Sequence, residues 1–193
     1  MNTLRRRQAI SGLTIIELMI VVAVVGVLIA VVAPSMRGML ARQQVQGINA
    51  QLVTDLQLAR SEVTRRSGAG TSVGVTFGGD AQITCYTVHT IGVGANCDCT
   101  RTPGQACLPL GVLDEIKTVQ VRRASGVSLA ASSAGGTAVT FAPPQGFVAP
   151  ADLMVDVQGD ASGRLRTTVN ASGRPTVCSP DSSIRGVPTT CAP

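Results

Sequence analysis

Residues 11–33, SGLTIIELMIVVAVVGVLIAVVA, place a single carboxylate, Glu17, inside an otherwise apolar run. From Leu13 to Ala33 the run is 21 residues long. That is about 31 Å of helix at ~1.5 Å per residue, against a bilayer hydrocarbon core of roughly 30 Å. A charged side chain at the centre of such a span costs about 2.5–3.5 kcal/mol, so an acid retained there marks a functional residue. Glu17 stands four residues after Leu13, near one end of the run, which places its partner close to the membrane surface. Upstream, residues 1–12 carry Arg5, Arg6 and Arg7 and no acid. Positive charge ahead of a span holds that end in the cytoplasm. No small-residue cleavage site follows Ala33, as it would in an ordinary secretory signal; the small-residue junction is Ser11-Gly12, ahead of the apolar run.

The order G-L-T-I-I-E-L from Gly12, with Pro34 seventeen residues past Glu17, resembles the class III signal of type IV prepilins and type II secretion pseudopilins. In that family a membrane aspartyl protease, the prepilin peptidase, cuts after the glycine and methylates the new amino terminus. The resemblance implies cleavage between Gly12 and Leu13 and N-methylation of Leu13, a leucine where phenylalanine is usual. It also implies filament-assembly roles for Glu17 and Pro34. The physics agrees: a freed ammonium at Leu13 lies one helical turn from Glu17. Among staggered helices, Glu17 of one subunit instead meets the ammonium of the next, and a subunit whose charges stay unpaired in a low dielectric is penalised.

Past Pro34 the pattern turns amphipathic. Val45, Ile48, Leu52, Leu56, Ala59 and Val63 step by threes and fours, one helical stripe, with Gln43, Gln44, Gln46, Arg60 and Arg65 on other faces. Pro34 removes one hydrogen bond and predicts a kink, whereas Ser67-Gly68-Ala69-Gly70 predicts the helix end. Residues 55–67, DLQLARSEVTRRS, resemble the L-x-x-A-R-S-E-A-x-x-R signature of the GspH/FimT branch of minor pilins, with Val63 in place of alanine.

From residue 71 the period shortens to two. TSVGVTF, QITCYTVHT, KTVQVRR, GVSLAA, TAVTFAP, DLMVDVQG, RLRTTVN and RPTVCS alternate between turns of Gly, Ser, Asp and Pro. Seven or eight short antiparallel strands packed on the amphipathic half-helix follow. Residues 138–147, AVTFAPPQGF, resemble the family's F-x-P-x-G turn, with an extra proline. The expected class is α+β: a long N-terminal pilin helix against an antiparallel, disulfide-bearing sheet. Its parts are a leader at 1–12, a membrane and filament-core helix at 13–33, an amphipathic half at 34–67 and a periplasmic or extracellular head at 68–193.

Three Phe, one Tyr and no Trp make a thin core that benefits from covalent staples. Cys85, Cys97, Cys99, Cys107, Cys178 and Cys191 supply them in an oxidising compartment. Cys178 and Cys191 stand apart from the others and enclose twelve residues, so they are expected to pair. The other four pair among themselves, with Cys97 and Cys99 taking different partners. A zinc site is the alternative for C-x-C with a third cysteine nearby, but there is no C-x2-C pair.

The head shows no nucleophile–base–acid set, no phosphate-cradling loop and no metalloprotease or calcium motif, so no enzyme, cofactor, metal or small-molecule substrate is expected. His89, the sole histidine, reads as a polar strand residue. The net charge of +5 includes the three leader arginines; without them 13 basic side chains face 11 acidic ones, a net +2. Residues 161–193 still hold Arg164, Arg166, Arg174 and Arg185 against Asp181 alone. This tail resembles the FimT side of the family, whose G-R-x-R motif is linked to DNA binding during natural transformation. Gly163-Arg164-Leu165-Arg166 fits the letters, and Ser172-Gly173-Arg174-Pro175 fits the position. The resemblance implies sequence-independent DNA contact by Arg164, Arg166, Gly173, Arg174 and Arg185. On a strand, Arg164 and Arg166 share one face, beside a glycine turn that lets a phosphate approach the backbone. A charged strand edge that resists aggregation uses the same residues.

The function expected is a minor type IV pilin that assembles or primes the filament with other major and minor pilins. The alternatives are a minor pseudopilin of type II secretion, or a tethered binding domain outside any filament. The place expected is the bacterial inner membrane, single-pass with the amino terminus cytoplasmic, then the pilus or pseudopilus.

Overall fold

Among the described residues, the alternating and helical patterns resolve into one long helix, α1 (Ile15–Arg65), followed by eleven strands. The computed structural model describes residues 14–92, 96–108, 114–133, 136–160 and 162–191; of residues 32–35, 37 and 67 the backbone alone is described. The leader and the expected cleavage and methylation positions, Gly12 and Leu13, lie outside the described residues.

The chain divides into two units at Arg37/Gly38. In the first, Thr14 opens α1 and Glu17 stands in its first turn, where the helix dipole favours an acid; the Glu17 N–H donates to Thr14 Oγ1 at 3.3 Å. The apolar side chains from Ile15 to Val31 are exposed. They cover 17 positions, about 26 Å of rise. Among the described residues no helix is long and apolar enough to cross a membrane. The expected span reaches further, to Leu13 and to residues 32–33, whose side chains are not described. The helical assignment passes through Pro34.

In the second unit the predicted stripe is the buried face: Val45, Leu52, Leu56, Ala59 and Val63 enter the core and Ile48 packs at its edge. The helix stops as glycine chemistry dictates. A 3-10 turn, Ser67–Ala69, follows Arg65, and Gly70 takes φ +65°, a left-handed conformation unfavourable to other residues.

The strands are β1 (Val73–Gly79), β2 (Ile83–Thr90), β3 (Asn96–Cys97), β4 (Cys107–Leu108), β5 (Glu115–Arg122), β6 (Val127–Ser132), β7 (Ala138–Ala142), β8 (Phe147–Ala149), β9 (Leu153–Gly159), β10 (Gly163–Val169) and β11 (Pro175–Cys178). They form two antiparallel sheets, β5-β2-β1-β7-β8 and β11-β10-β9-β6, with β3 and β4 making a separate ribbon. Alternation decides burial in the second sheet: Leu153, Val155 and Val157 of β9 and Leu165, Thr167 and Val169 of β10 face inward. Strand β2 departs from it, for every residue from Thr84 to Thr90 is buried. Its outer face is covered by the loop that carries Cys97, Cys99 and Cys107. The disulfides are Cys85–Cys99, Cys97–Cys107 and Cys178–Cys191. Hydrogen bonds seat the loop further: Glu115 accepts from the N–H groups of Gly104 and Ala106, and the Gln120 amide donates to the carbonyls of Cys99 and Arg101.

Two buried polar contacts, absent from the sequence reading, fix α1 to the two sheets. Thr167 of β10 donates to Asn49 Oδ1 at 2.8 Å. Asp55, 2% exposed, accepts from the Tyr86 hydroxyl of β2 and the Lys117 ammonium of β5, both at 2.7 Å. Buried polar groups of this kind are tolerable only when each is matched, and here each is.

Candidate functional site

Three sequence motifs far apart in the chain meet at one groove of about 810 Å³. Its helical wall is Gln57, Arg60, Ser61 and Thr64, residues spaced so that they share one face of α1. Opposite them stand the β7–β8 turn, through Pro144 and Gln145, and the β10–β11 turn, through Gly173, Arg174 and Pro175. Among the described residues no acid lines it.

Glycine makes this meeting possible. Gly146 and Gly173 have φ of +70° and +73°, so each turn needs a residue without a Cβ. Space demands the same: a Cβ on Gly146 would lie 2.7 Å from Arg60 Cγ, and one on Gly173 would lie 2.6 Å from the Gly146 carbonyl oxygen and 3.4 Å from Arg60 Cδ. The Arg60 stem is therefore laid across two glycine turns, with its charged end carried to the groove. Asn170 holds the second turn, its carbonyl accepting from the Gly173 N–H at 2.8 Å and its Oδ1 from the Arg174 N–H at 2.9 Å. Arg174 itself is exposed.

The tail arginines divide. Arg164 and Arg166 do share a face, but not an open one: both guanidinium groups close on Asp156 of the neighbouring strand β9. Arg166 donates to Asp156 through Nε at 2.8 Å and Nη2 at 3.0 Å, and Arg164 pairs with the same carboxylate through Nη2. Burial pushes the Asp156 carboxyl up, but the hydrogen bonds from Arg166 and Arg164 outweigh it and hold it below the usual range. Ser183 crowds one side of the glycine turn. The Arg164 N–H donates to Ser183 Oγ at 3.0 Å, and Ser183 fills the space beside Gly163. Arg164 and Arg166 thus share one strand face beside Gly163 as expected, with the two guanidinium groups paired to Asp156. Arg174 lines the groove, while Arg185 is exposed in the loop closed by Cys178–Cys191.

The rest of the helical signature is structural. Glu62 accepts from Arg65 and Arg66, and Arg66 reaches on to Asp114 at 2.7 Å. These pairs tie the helix end to the start of β5, at a small gain for so exposed a network.

His89 is buried. Its Nδ1 lies 3.0 Å from the Thr90 carbonyl, which only accepts, so Nδ1 carries the proton; burial disfavours the imidazolium, and the Thr76 hydroxyl then donates to Nε2 at 2.9 Å. The sulfurs of Cys97 and Cys107 lie within 4.8 Å of the ring but are bonded to each other. They present no thiolate to a metal ion.

The profile of the family described as type II transport protein GspH matches residues 49–173, well over half of the chain. The match runs from the buried Asn49 of α1 to Gly173 at the groove. No curated protein and no solved structure matches the chain.

Proposed function

Because the chain belongs to the type II transport protein GspH family, we propose that it is a minor, pilin-like filament subunit, an assembly component without catalysis. The observation that carries this reading is the first unit: an exposed apolar helix with one acid, Glu17, in its first turn. So large an unpaired apolar surface needs lipid or neighbouring helices to cover it. Residues 13–33 act as a single-pass anchor in the inner membrane and then as filament core. The prepilin peptidase frees and methylates Leu13, and Glu17 pairs with the Leu13 ammonium of an adjoining pilin or pseudopilin.

The family description names type II transport, which supports the pseudopilus as the filament. Support for a DNA-capturing type IV pilus comes from the tail arginines, of which Arg164 and Arg166 are paired with Asp156. Arg174 and Arg185 alone leave two phosphate contacts, too few for a firm grip at physiological salt.

The test is the mass of the mature amino terminus and the fate of Glu17→Ala. The reading expects cleavage after Gly12, a methylated Leu13, and a variant that is processed and inserted but poorly incorporated. An intact leader, or normal incorporation of Glu17→Ala, refutes it. Deleting the gene separates the machineries: lost protein secretion with intact pili marks the pseudopilus, and the reverse marks the pilus.

A further inference from the structure

We propose that the Arg60–Arg174 groove is a docking site for an acidic stretch of a partner polypeptide, and that it recognises carboxylates with the two guanidinium groups and peptide N–H groups with the hydroxyl oxygens of α1.

The charge is one-sided. Two arginines, one from the helix and one from the β10–β11 turn, line a recess that contains no acid. A guanidinium presents a planar fork that fits a carboxylate bidentately. Arg60 is also pre-organised: with its stem packed over Gly146 and Gly173, little of its rotamer freedom remains to be lost on binding. Such packing is more than a solvated helix face requires.

The hydroxyl groups decide between a peptide and a nucleic acid. Ser61 donates its proton to the Leu58 carbonyl at 2.8 Å, and Thr64 donates to the Arg60 carbonyl at 3.2 Å. With their protons spent on the helix, both oxygens have only lone pairs to offer a ligand. A peptide backbone brings N–H donors to meet them, whereas a phosphodiester backbone has none. Gln57 and Gln145 supply amides that serve either way. The lining also lacks an aromatic residue on which a base would stack, and its two cations give a polyanion only two phosphate contacts. A volume of about 810 Å³ accepts a few residues of extended peptide, well beyond a single ion.

This inference is independent of the filament reading, since a tethered domain outside any filament would present the same groove. The test uses the full chain in detergent micelles at low salt, with three fluorescent probes read by anisotropy: hexaglutamate amide, hexaglutamine amide and a dodecamer of thymidylate. Hexaglutamate is expected to bind at least tenfold more tightly than hexaglutamine and more tightly than the oligonucleotide. Arg174→Gln, an exposed change with no folding role, is expected to weaken hexaglutamate at least tenfold. Arg60→Gln, which keeps part of the stem, should do the same, while Arg122→Gln on the end of β5 leaves binding unchanged. Equal binding of the two peptides, tighter binding of the oligonucleotide, or an unaltered Arg174→Gln would each overturn the proposal. The mass of the unliganded protein, compared between parent and Arg174→Gln, covers self-docking: a change of oligomeric state would reassign the groove to a second copy and overturn the partner-protein form.

Discussion

Replacing Tyr86 by Phe removes one oxygen atom and tests what holds α1 on the five-stranded sheet. The Tyr86 hydroxyl donates to Asp55 Oδ2 at 2.7 Å inside the core, and Lys117 meets the other oxygen at 2.7 Å. The ring itself stays, including its tilted packing on Phe77 at 5.7 Å, so little cavity opens. A hydrogen bond to a charged acceptor is worth about 1.5–3 kcal/mol, and the carboxylate left behind is 2% exposed, which puts the cost at the upper end. Lys117→Met breaks the ion pair instead. The lysine side chain is 38% exposed, so solvent screens it and the fully buried figure of about 3–5 kcal/mol falls to roughly 1–2 kcal/mol. The hydroxyl is therefore expected to matter at least as much as the charge. Urea titration of the full chain in micelles, followed by circular dichroism, reads the difference. With a slope of about 2 kcal/mol per molar urea, Tyr86→Phe lowers the midpoint by about 1.5 M. Burial and the Asp55 carboxylate also push the Tyr86 phenol well above its usual range. The unfolded chain ionises near pH 10 while the folded one does not, so wild-type stability declines as pH rises past about 10, and the Phe variant loses that part of the decline. A midpoint shift below about 0.2 M, or a larger loss in Lys117→Met, refutes the account.

Two further outcomes follow from the same geometry. Gly173→Ala forces a left-handed residue, at about 1–2 kcal/mol, and sets a methyl 2.6 Å from a backbone oxygen, adding about 1–3 kcal/mol of overpacking. Gly70→Ala carries the conformational cost alone, since nothing lies within 4 Å, and comparative urea melts should rank the two in that order. His89, held neutral by burial, lowers stability as the medium is acidified. Above about pH 6.5 neither state binds its proton; below it the unfolded chain does while the folded chain resists, so stability falls until the depressed folded value is reached. His89→Gln should flatten the fall in stability that sets in below about pH 6.5.

Eight strands were legible because apolar and polar residues alternate in them between turn signals, although both faces of β2 prove to be buried. Strands β3, β4 and β8 were not, being two or three residues long and too short to display a period. Nor did alternation say that the strands divide into two sheets, since it reports which way a side chain faces and not which strand lies beside it. Asn49 and Asp55 are not part of the apolar stripe that marks the buried face of α1. Their partners, Thr167, Tyr86 and Lys117, stand 31 to 118 residues away, and local pattern carries no trace of them.

The arginines show where a little more was available. A period of two puts Arg164 and Arg166 on one face, as observed, and the hairpin register supplies their partner. In V-D-V-Q-G-D-A-S-G-R-L-R, pairing Gly159 with Gly163 across the turn lands Asp156 opposite Arg166, the register the hairpin adopts. A carboxylate facing two arginines across a hairpin should have been read as a pair before being read as a phosphate site. Arg60 is the opposite case. The helical period places it off the apolar stripe, and no local rule links it to glycines 86 and 113 residues further on. Yet both glycines adopt a conformation that costs other residues, and both lie against its stem. Two turns built around one arginine, with Arg174 the next residue along, give the helical A-R-S-E segment a reason to be matched to the head. The segment presents charge where the turns converge, and that is the charge the proposed acidic partner meets.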